Sequence, residues 1–348
     1  MTIELKIANE EDAEEWDSLV DSSIPGTIFH TWKWLRIMEK HTTKKVLGRQ
    51  CKGKLYPIVI YDGSTPIGLF PLFYYKNLFK FVQSPPSAVE DPYLAPLLVN
   101  YDSLSQSKRI NRFRLVIKEV DKFIKSELNP TITLFHSAPG LVDSRPFKWA
   151  GYEVEPRHTY IIELNSLDTV WNNLHTKLRK GIRKARKEGL EVSEGSREEL
   201  IYIYTLLNDR NRIHASKEFV LDIFDNFYPD NLRVFIVEKE GERLSGIINT
   251  CFNETAGLWI GVPKSSIVGV YSNELLVYES IKWALENGYK RYDLINADSP
   301  SYYLFKSKFN GELVGYISAK KYYPSAIKVV EAAYRSFKPR HKVGPELR

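Results

Sequence analysis

Apolar positions recur along this chain with two spacings. Between Arg109 and Leu128, residues Phe113, Val116, Ile117, Val120, Phe123 and Ile124 fall on one face at helical spacing, which predicts an amphipathic helix. Leu55 to Tyr61 and Ile67 to Tyr75 are alternating or apolar runs on either side of Asp62-Gly63-Ser64, the signature of a hairpin. Helical spacing is also read over Glu10–Leu19, which opens on acidic residues, and over Thr27–Lys40. Further helices are predicted over Val170–Glu188 (closed by Gly189), Glu198–His214, Phe219–Phe227 and Ser272–Asn287. Strands are predicted over Thr131–Phe135, Tyr160–Leu164, Leu232–Glu238, Ser245–Phe252, Ala256–Val262 and Arg291–Ile295. Each half therefore runs helices, antiparallel strands, then helix and strand, an α+β plan used twice. Gly151 to His158, with Pro156 and several polar residues, interrupts the pattern and divides the halves.

Composition narrows the class. With 348 residues, 43% hydrophobic and 26% charged, the chain suits two globular domains, with fraying confined to ends such as Lys338–Arg348. Aromatic residues reach 13%, enough for rings to line both core and cleft. Cys51 and Cys251 stand far apart with no CxxC spacing, which argues against a zinc site or disulfide framework and for a reducing compartment. The acidic start lacks a signal peptide's apolar stretch, and no run reaches the ~20 apolar residues of a membrane span. A soluble, cytoplasmic protein without a metal is expected.

The net charge of +6 is modest, but it is concentrated. Lys177 to Gly189 reads KLRKGIRKARKEG. Trp171, Leu174, Leu178, Gly181, Ile182 and Ala185 form an apolar stripe, and Lys177, Arg179, Lys180, Arg183, Lys184, Arg186 and Lys187 occupy the opposite half. Like charges at i,i+4 repel by some tenths of a kcal/mol per pair, and few acids stand nearby in sequence. Two readings follow: a solvated face, or a seat for a phosphate-bearing partner such as a nucleotide, CoA, tRNA or anionic lipid head. Arg210 and Arg212 likewise read either as helix-face residues or as phosphate-binding forks. His30, His158, His175 and His214 are scattered and read as structural.

Six stretches in order resemble the Fem-type acyltransferases, relatives of the GNAT N-acetyltransferases. They are TIFHTWKWL with Trp34, GLFPLFYYK (Gly68–Lys76), DPYLAPLL with Tyr93, RKGIRKARKEGLEV after a strand holding Tyr160, LLNDRNRIHASKEFV, and the run from Asn273 through Asp293 to FKSKFNG. The resemblance covers about residues 25 to 320. It implies two GNAT-like domains, each a mixed, mostly antiparallel sheet flanked by helices. The first would span 1–157 plus about 314–348, through a closing strand and helix near Val314–Tyr334, and the second 158–313. It implies an N-acyl or aminoacyl transferase that moves an activated group from aminoacyl-tRNA, acyl-CoA or an acyl carrier to an amine of a cell-envelope or small-molecule acceptor. No tightly bound cofactor is implied. Lys306 would stabilise the oxyanion or leaving group, with Lys308 as its rival, and Asp293 would orient the amine or a lysine. Arg210, Arg212, Arg183, Lys184, Trp34, Tyr93 and Phe305 would bind substrate.

The pattern departs from plain CoA-dependent acetyltransferases at Ser265–Leu276, where Gly269 remains, a Ser leads and Tyr271 replaces a small residue. That favours the Fem type. No heptad run long enough for a coiled-coil arm is present. The rival readings are a non-catalytic tRNA or anionic-polymer module using the basic helix, and a membrane scaffold using Leu78–Phe81.

Overall fold

The turn at Asp62-Gly63 is where the first hairpin folds back, and Gly63 takes the left-handed backbone (φ 60°) that a side chain resists. The computed structural model describes residues 2–23, 26–46, 49–77, 79–87, 89–210, 212–261 and 271–323. Readings on Leu78, on Gly269 and the 262–270 loop, and on the segment from 324 to the tail lie outside these residues.

The first-half strands are β1 (Ile3–Ile7), β2 (Thr43–Val46), β3 (Arg49–Asp62), β4 (Thr65–Tyr75), β5 (Phe81–Ser84), β6 (Leu97–Leu98) and β7 (Ile132–His136). They continue as β8 (Glu153–Glu163), β9 (Leu190–Glu194), β10 (Leu232–Lys239), β11 (Glu242–Phe252), β12 (Thr255–Gly261), β13 (Arg291–Asp293) and β14 (Glu312–Tyr322). All join one sheet in the order β1-β3-β4-β5-β7-β14-β8-β13-β12-β11-β10-β9, with β2 beside β3 and β6 beside β4. The β5–β7 and β12–β13 pairs are parallel and the rest antiparallel. This is the expected α+β class. β14 lies between β7 and β8, so a late strand joins the two halves.

Helices cover the sheet where their apolar faces predict. The helix Gln106–Phe123 lays Phe113, Val116, Ile117 and Val120 against Ile58, Phe70 and Leu72 of the hairpin. The basic helix Thr176–Lys187 buries Leu178, Ile182 and Ala185 with Leu275, Leu276 and Ile281 of the helix Ser272–Glu286. A third cluster spans both halves. Trp34, on the helix Trp32–His41, is fully buried with its ring 5.0 Å from Phe227 and 5.1 Å from Trp259.

Several readings change. The helix read over Glu198–His214 ends at Asp209, and the one read over Thr27–Lys40 begins at Trp32, after a 3-10 turn over Ile28–His30. Val170–Glu188 is not one helix but two, Leu167–Asn173 and Thr176–Lys187. His175 interrupts it: its backbone is extended and its ring accepts the Lys177 N–H at 3.2 Å, capping the second helix. The break read over Gly151–His158 is strand from Glu153 onward. Pro156 is tolerated because, among the described residues, β8 pairs only with β14 there, meeting β13 no earlier than Ile161.

Candidate functional site

A cavity of about 290 Å³ opens where β8, β13 and β14 meet loops of the first half. Strand alternation builds its floor. Ile161 and Glu163 of β8 line it opposite Glu312 and Arg291, and Thr159, two residues along the same face, stands opposite the lining Val314 without itself reaching the cavity. Ile161 also stands opposite Asp293. Phe29, Tyr93, Leu97 and Pro139 form the first-half wall.

Asp293, on β13 and facing that wall, is the polar centre of the cavity. Its carboxylate is 4% exposed and accepts from Tyr93 Oη at 2.5 Å, Thr159 Oγ1 at 2.5 Å and the Ile295 N–H at 2.8 Å. Burial raises its pKa above the ordinary carboxylate value; these three donors and the nearby Lys306 charge pull the other way. Burial also drives the Tyr93 phenol well above its usual value, with the Asp293 charge adding to it, so Tyr93 is the donor in the pair.

Behind Asp293 the chain turns sharply. Ile295 and Asn296 are both left-handed (φ 47° and 54°), a conformation that costs about 1–3 kcal/mol per residue and is rarest for a β-branched side chain. Lys306 holds this turn, its Nζ donating to the carbonyl of Ile295 and, at 2.9 Å, to that of Asn296. The lysine is presented by a short helix, Pro300–Lys306, whose start has Ser299 accepting the Tyr302 N–H and proline in its first turn. Lys306 is 8% exposed and lies 4.8 Å from the Tyr302 ring. Burial lowers its pKa to about 8, and Asp293 opposes the fall. Its ammonium thus lies one peptide carbonyl behind a cavity-lining residue, Ile295.

The other expected site residues lie in several places. Tyr93 lines the cavity beside Asp293. Trp34 stands one layer back: its ring is 5.3 Å from Phe29, and its indole N–H donates to Asp91 at 2.8 Å. Burial raises the Asp91 pKa to about 7 against the pull of the Trp34 and Trp259 N–H groups. Phe305 packs 5.5 Å from Phe309 and off the cavity. Arg210 and Arg212 are exposed just past the helix Arg197–Asp209, away from the cavity lining. Arg183 and Lys184 sit on the exposed face of the basic helix, Arg183 5.4 Å from the Trp171 ring and Lys184 3.6 Å from Glu188. The expected scarcity of acids is corrected here, since the neighbouring helix supplies Glu279, 2.6 Å from Arg186. Lys308 gives its carbonyl to the His175 N–H at 2.9 Å. His30 is fully buried between Thr27 and the Leu94 carbonyl, its pKa lowered to about 4 by burial.

Sequence reasoning missed Thr159, Glu163, Arg291 and Glu312. Period-two alternation in β8 and β13 carried the signal for the first three. Among the described residues, no cluster of metal-ligating side chains occurs, and no helix is long and apolar enough to cross a membrane.

Residues 172–306 match the family model described as an acetyltransferase (GNAT) domain. A curated relative, the UDP-N-acetylmuramoylpentapeptide-lysine N(6)-alanyltransferase of Weissella viridescens, is 27% identical over 169 residues, covering 45% of this chain and 50% of that protein. The chain thus spans about half the length of this relative. Among solved structures, the fold is similar to FemX (TM-score 0.66, 14% identity, 94% of this chain and 99% of that one). It is also similar to a tandem GNAT protein from the clavulanic acid biosynthesis pathway (TM-score 0.53, 10% identity, 92% and 98%). A third is the C-terminal domain of a putative lysylphosphatidylglycerol synthetase from Agrobacterium fabrum (TM-score 0.53, 12% identity, 94% and 97%).

Proposed function

We propose that this chain, a Fem-type member of the GNAT superfamily, is an acyltransferase that joins an activated acyl or aminoacyl group to an amine held in the cavity between its halves. The two units are 1–157 with about 314–348, and 158–313. The donor is an aminoacyl-tRNA, an acyl-CoA or an acyl carrier. The acceptor is a cell-envelope or small-molecule amine, and the first candidate is a UDP-linked muropeptide, the class named for the Weissella relative. The reaction belongs to the cytoplasm.

One observation carries the reading: a buried carboxylate on the cavity wall, Asp293, tied to Tyr93 of the other half. In the step, the amine nitrogen bonds to the acyl carbon and the ester or thioester bond breaks. The proton leaves the nitrogen for Asp293, whose raised pKa suits an acceptor, and passes to the departing oxygen or sulfur. Lys306 supplies positive charge to the oxyanion or leaving group while holding the Ile295–Asn296 turn. Alignment of the two substrates in the cavity contributes up to ~7–11 kcal/mol. Arg210 and Arg212 hold substrate phosphate, and Arg183 with Lys184 holds the anionic part of the donor.

The test is turnover on a panel of charged tRNAs, acyl-CoAs and UDP-muropeptides, comparing the wild type with Asp293→Asn. A general-base role predicts a loss on the order of 10²–10⁴-fold. Undiminished turnover by the variant on a verified donor–acceptor pair would remove Asp293 from the chemistry. If no pair reacts but tRNA binds with a steep salt dependence, the chain is a binding module acting through its basic helix.

A further inference from the structure

At the other end of β7 from the cavity lies a second concavity, unrelated to the transfer site. The five-residue strand separates them by roughly 15 Å. This groove, about 660 Å³, forms between the open end of the β3–β4 hairpin and the last turn before β7. Lys52, Lys54, Lys76 and Lys80 line it with Gln50, Tyr56 and Asn129. Among the described residues, none of these four lysines has a carboxylate within ion-pair distance. Glu127 is the single lining acid, and it accepts from Ser126 Oγ at 3.0 Å.

The lysines are mounted on fixed backbone. Lys52 and Lys54 share one face of β3 by alternation, and Gly53 between them pairs with Tyr75. The Lys76 carbonyl accepts from the buried Cys51 thiol at 3.2 Å. Lys80 is tied on both sides: its carbonyl accepts the Thr131 N–H at 2.7 Å, and its N–H donates to Thr131 Oγ1 at 3.2 Å. Asn129, left-handed at φ 42°, ends the preceding helix and turns the chain around the rim. Lys54 Nζ lies 5.1 Å from the Tyr56 ring, an aromatic face standing in for a counter-charge. Among the described residues, none of the large exposed apolar side chains lines the groove, which disfavours a bilayer as occupant. Its volume is that of a small-ligand site.

We propose that this groove binds a small ligand carrying a pyrophosphate group, free or as part of a nucleoside diphosphate. Lysine ammonium groups would meet the phosphate oxygens as point charges. The proposal stands apart from the transfer reading and survives its failure.

Inorganic pyrophosphate and uridine diphosphate are titrated calorimetrically into the full chain at 50 and 200 mM salt, alongside a Lys52→Gln/Lys76→Gln/Lys80→Gln variant. The wild type is expected to bind pyrophosphate, more weakly at the higher salt, and the variant to lose at least about tenfold in affinity. An unchanged melting temperature would show that the variant is folded. Tighter binding of uridine diphosphate that the triple variant loses identifies a nucleoside ligand of the groove, and equal lysine-dependent binding identifies the free anion. A Lys217→Gln/Lys290→Gln variant, which removes two exposed lysines outside the groove, should keep its pyrophosphate affinity. Equal affinity of wild type and triple variant, or an equal loss in the Lys217/Lys290 variant, overturns the proposal. So does absent pyrophosphate binding, and a lysine-dependent pelleting with phosphatidylglycerol vesicles would then assign the face to lipid.

Discussion

Replacing Lys306 with methionine tests the electrostatics of the site without a substrate. The side chain is 8% exposed, and its pKa falls from 10.5 to about 8 because burial disfavours the ammonium. A lowered lysine pKa means that, between about pH 8 and 10.5, the unfolded chain holds a proton the folded chain has released. Stability therefore rises with pH through that window. At about 1.36 kcal/mol per pKa unit, the span corresponds to about 3 kcal/mol. Methionine keeps the length and does not titrate, so the wild type should gain up to about 3 kcal/mol on the variant between pH 7.5 and 10.5. Near neutral pH the two should be closer, since losing two charge-assisted hydrogen bonds, about 1.5–3 kcal/mol each, is offset by removing a buried charge. Urea unfolding of both proteins across this range, read as midpoint and slope, measures the difference. Parallel curves for wild type and variant would refute the claim that this ammonium is held against its own desolvation.

Two further outcomes follow from packing. A Cβ on Gly181 would come within 2.4 Å of the Tyr271 ring, so Gly181→Val should cost about 1–3 kcal/mol, seen as a lower urea midpoint; an unchanged midpoint would show that the basic helix does not pack tightly there. Lys321 Nζ lies 2.7 Å from Asp121 and 2.7 Å from the Ala150 carbonyl, both side chains of the ion pair being under a fifth exposed. Lys321→Met should destabilise by about 3 kcal/mol, the low end for a broken buried pair, and a double-mutant cycle with Asp121→Asn should recover part of that loss.

How much was legible depended on whether the signal was local. The hairpin around Gly63 and the helix faces carrying Phe113 and Leu178 were readable because one residue's neighbours in sequence are its neighbours on the element. β8 was half read: Tyr160 to Leu164 is apolar, but Glu153, Glu155 and Arg157 have the polarity of a strand paired on one side only, and Pro156 looked like a stop. The helix break at His175 was hidden because Leu174 continues the apolar stripe while turning into the core. Asp293 and Lys306 were reached through resemblance and not through pattern. The Tyr93–Asp293 bond joins residues 200 positions apart, and the Glu279 partner of Arg186 comes from another helix; no periodicity reports such meetings.

The place of β14 has a consequence for biosynthesis. Because Glu312–Tyr322 is inserted between β7 and β8, both of those strands keep a bare hydrogen-bonding edge until the ribosome has released residue 322. The nascent protein therefore cannot zip its sheet from one end to the other as it emerges. It must hold two open seams, each able to recruit a foreign strand, and seal both with a single late insertion.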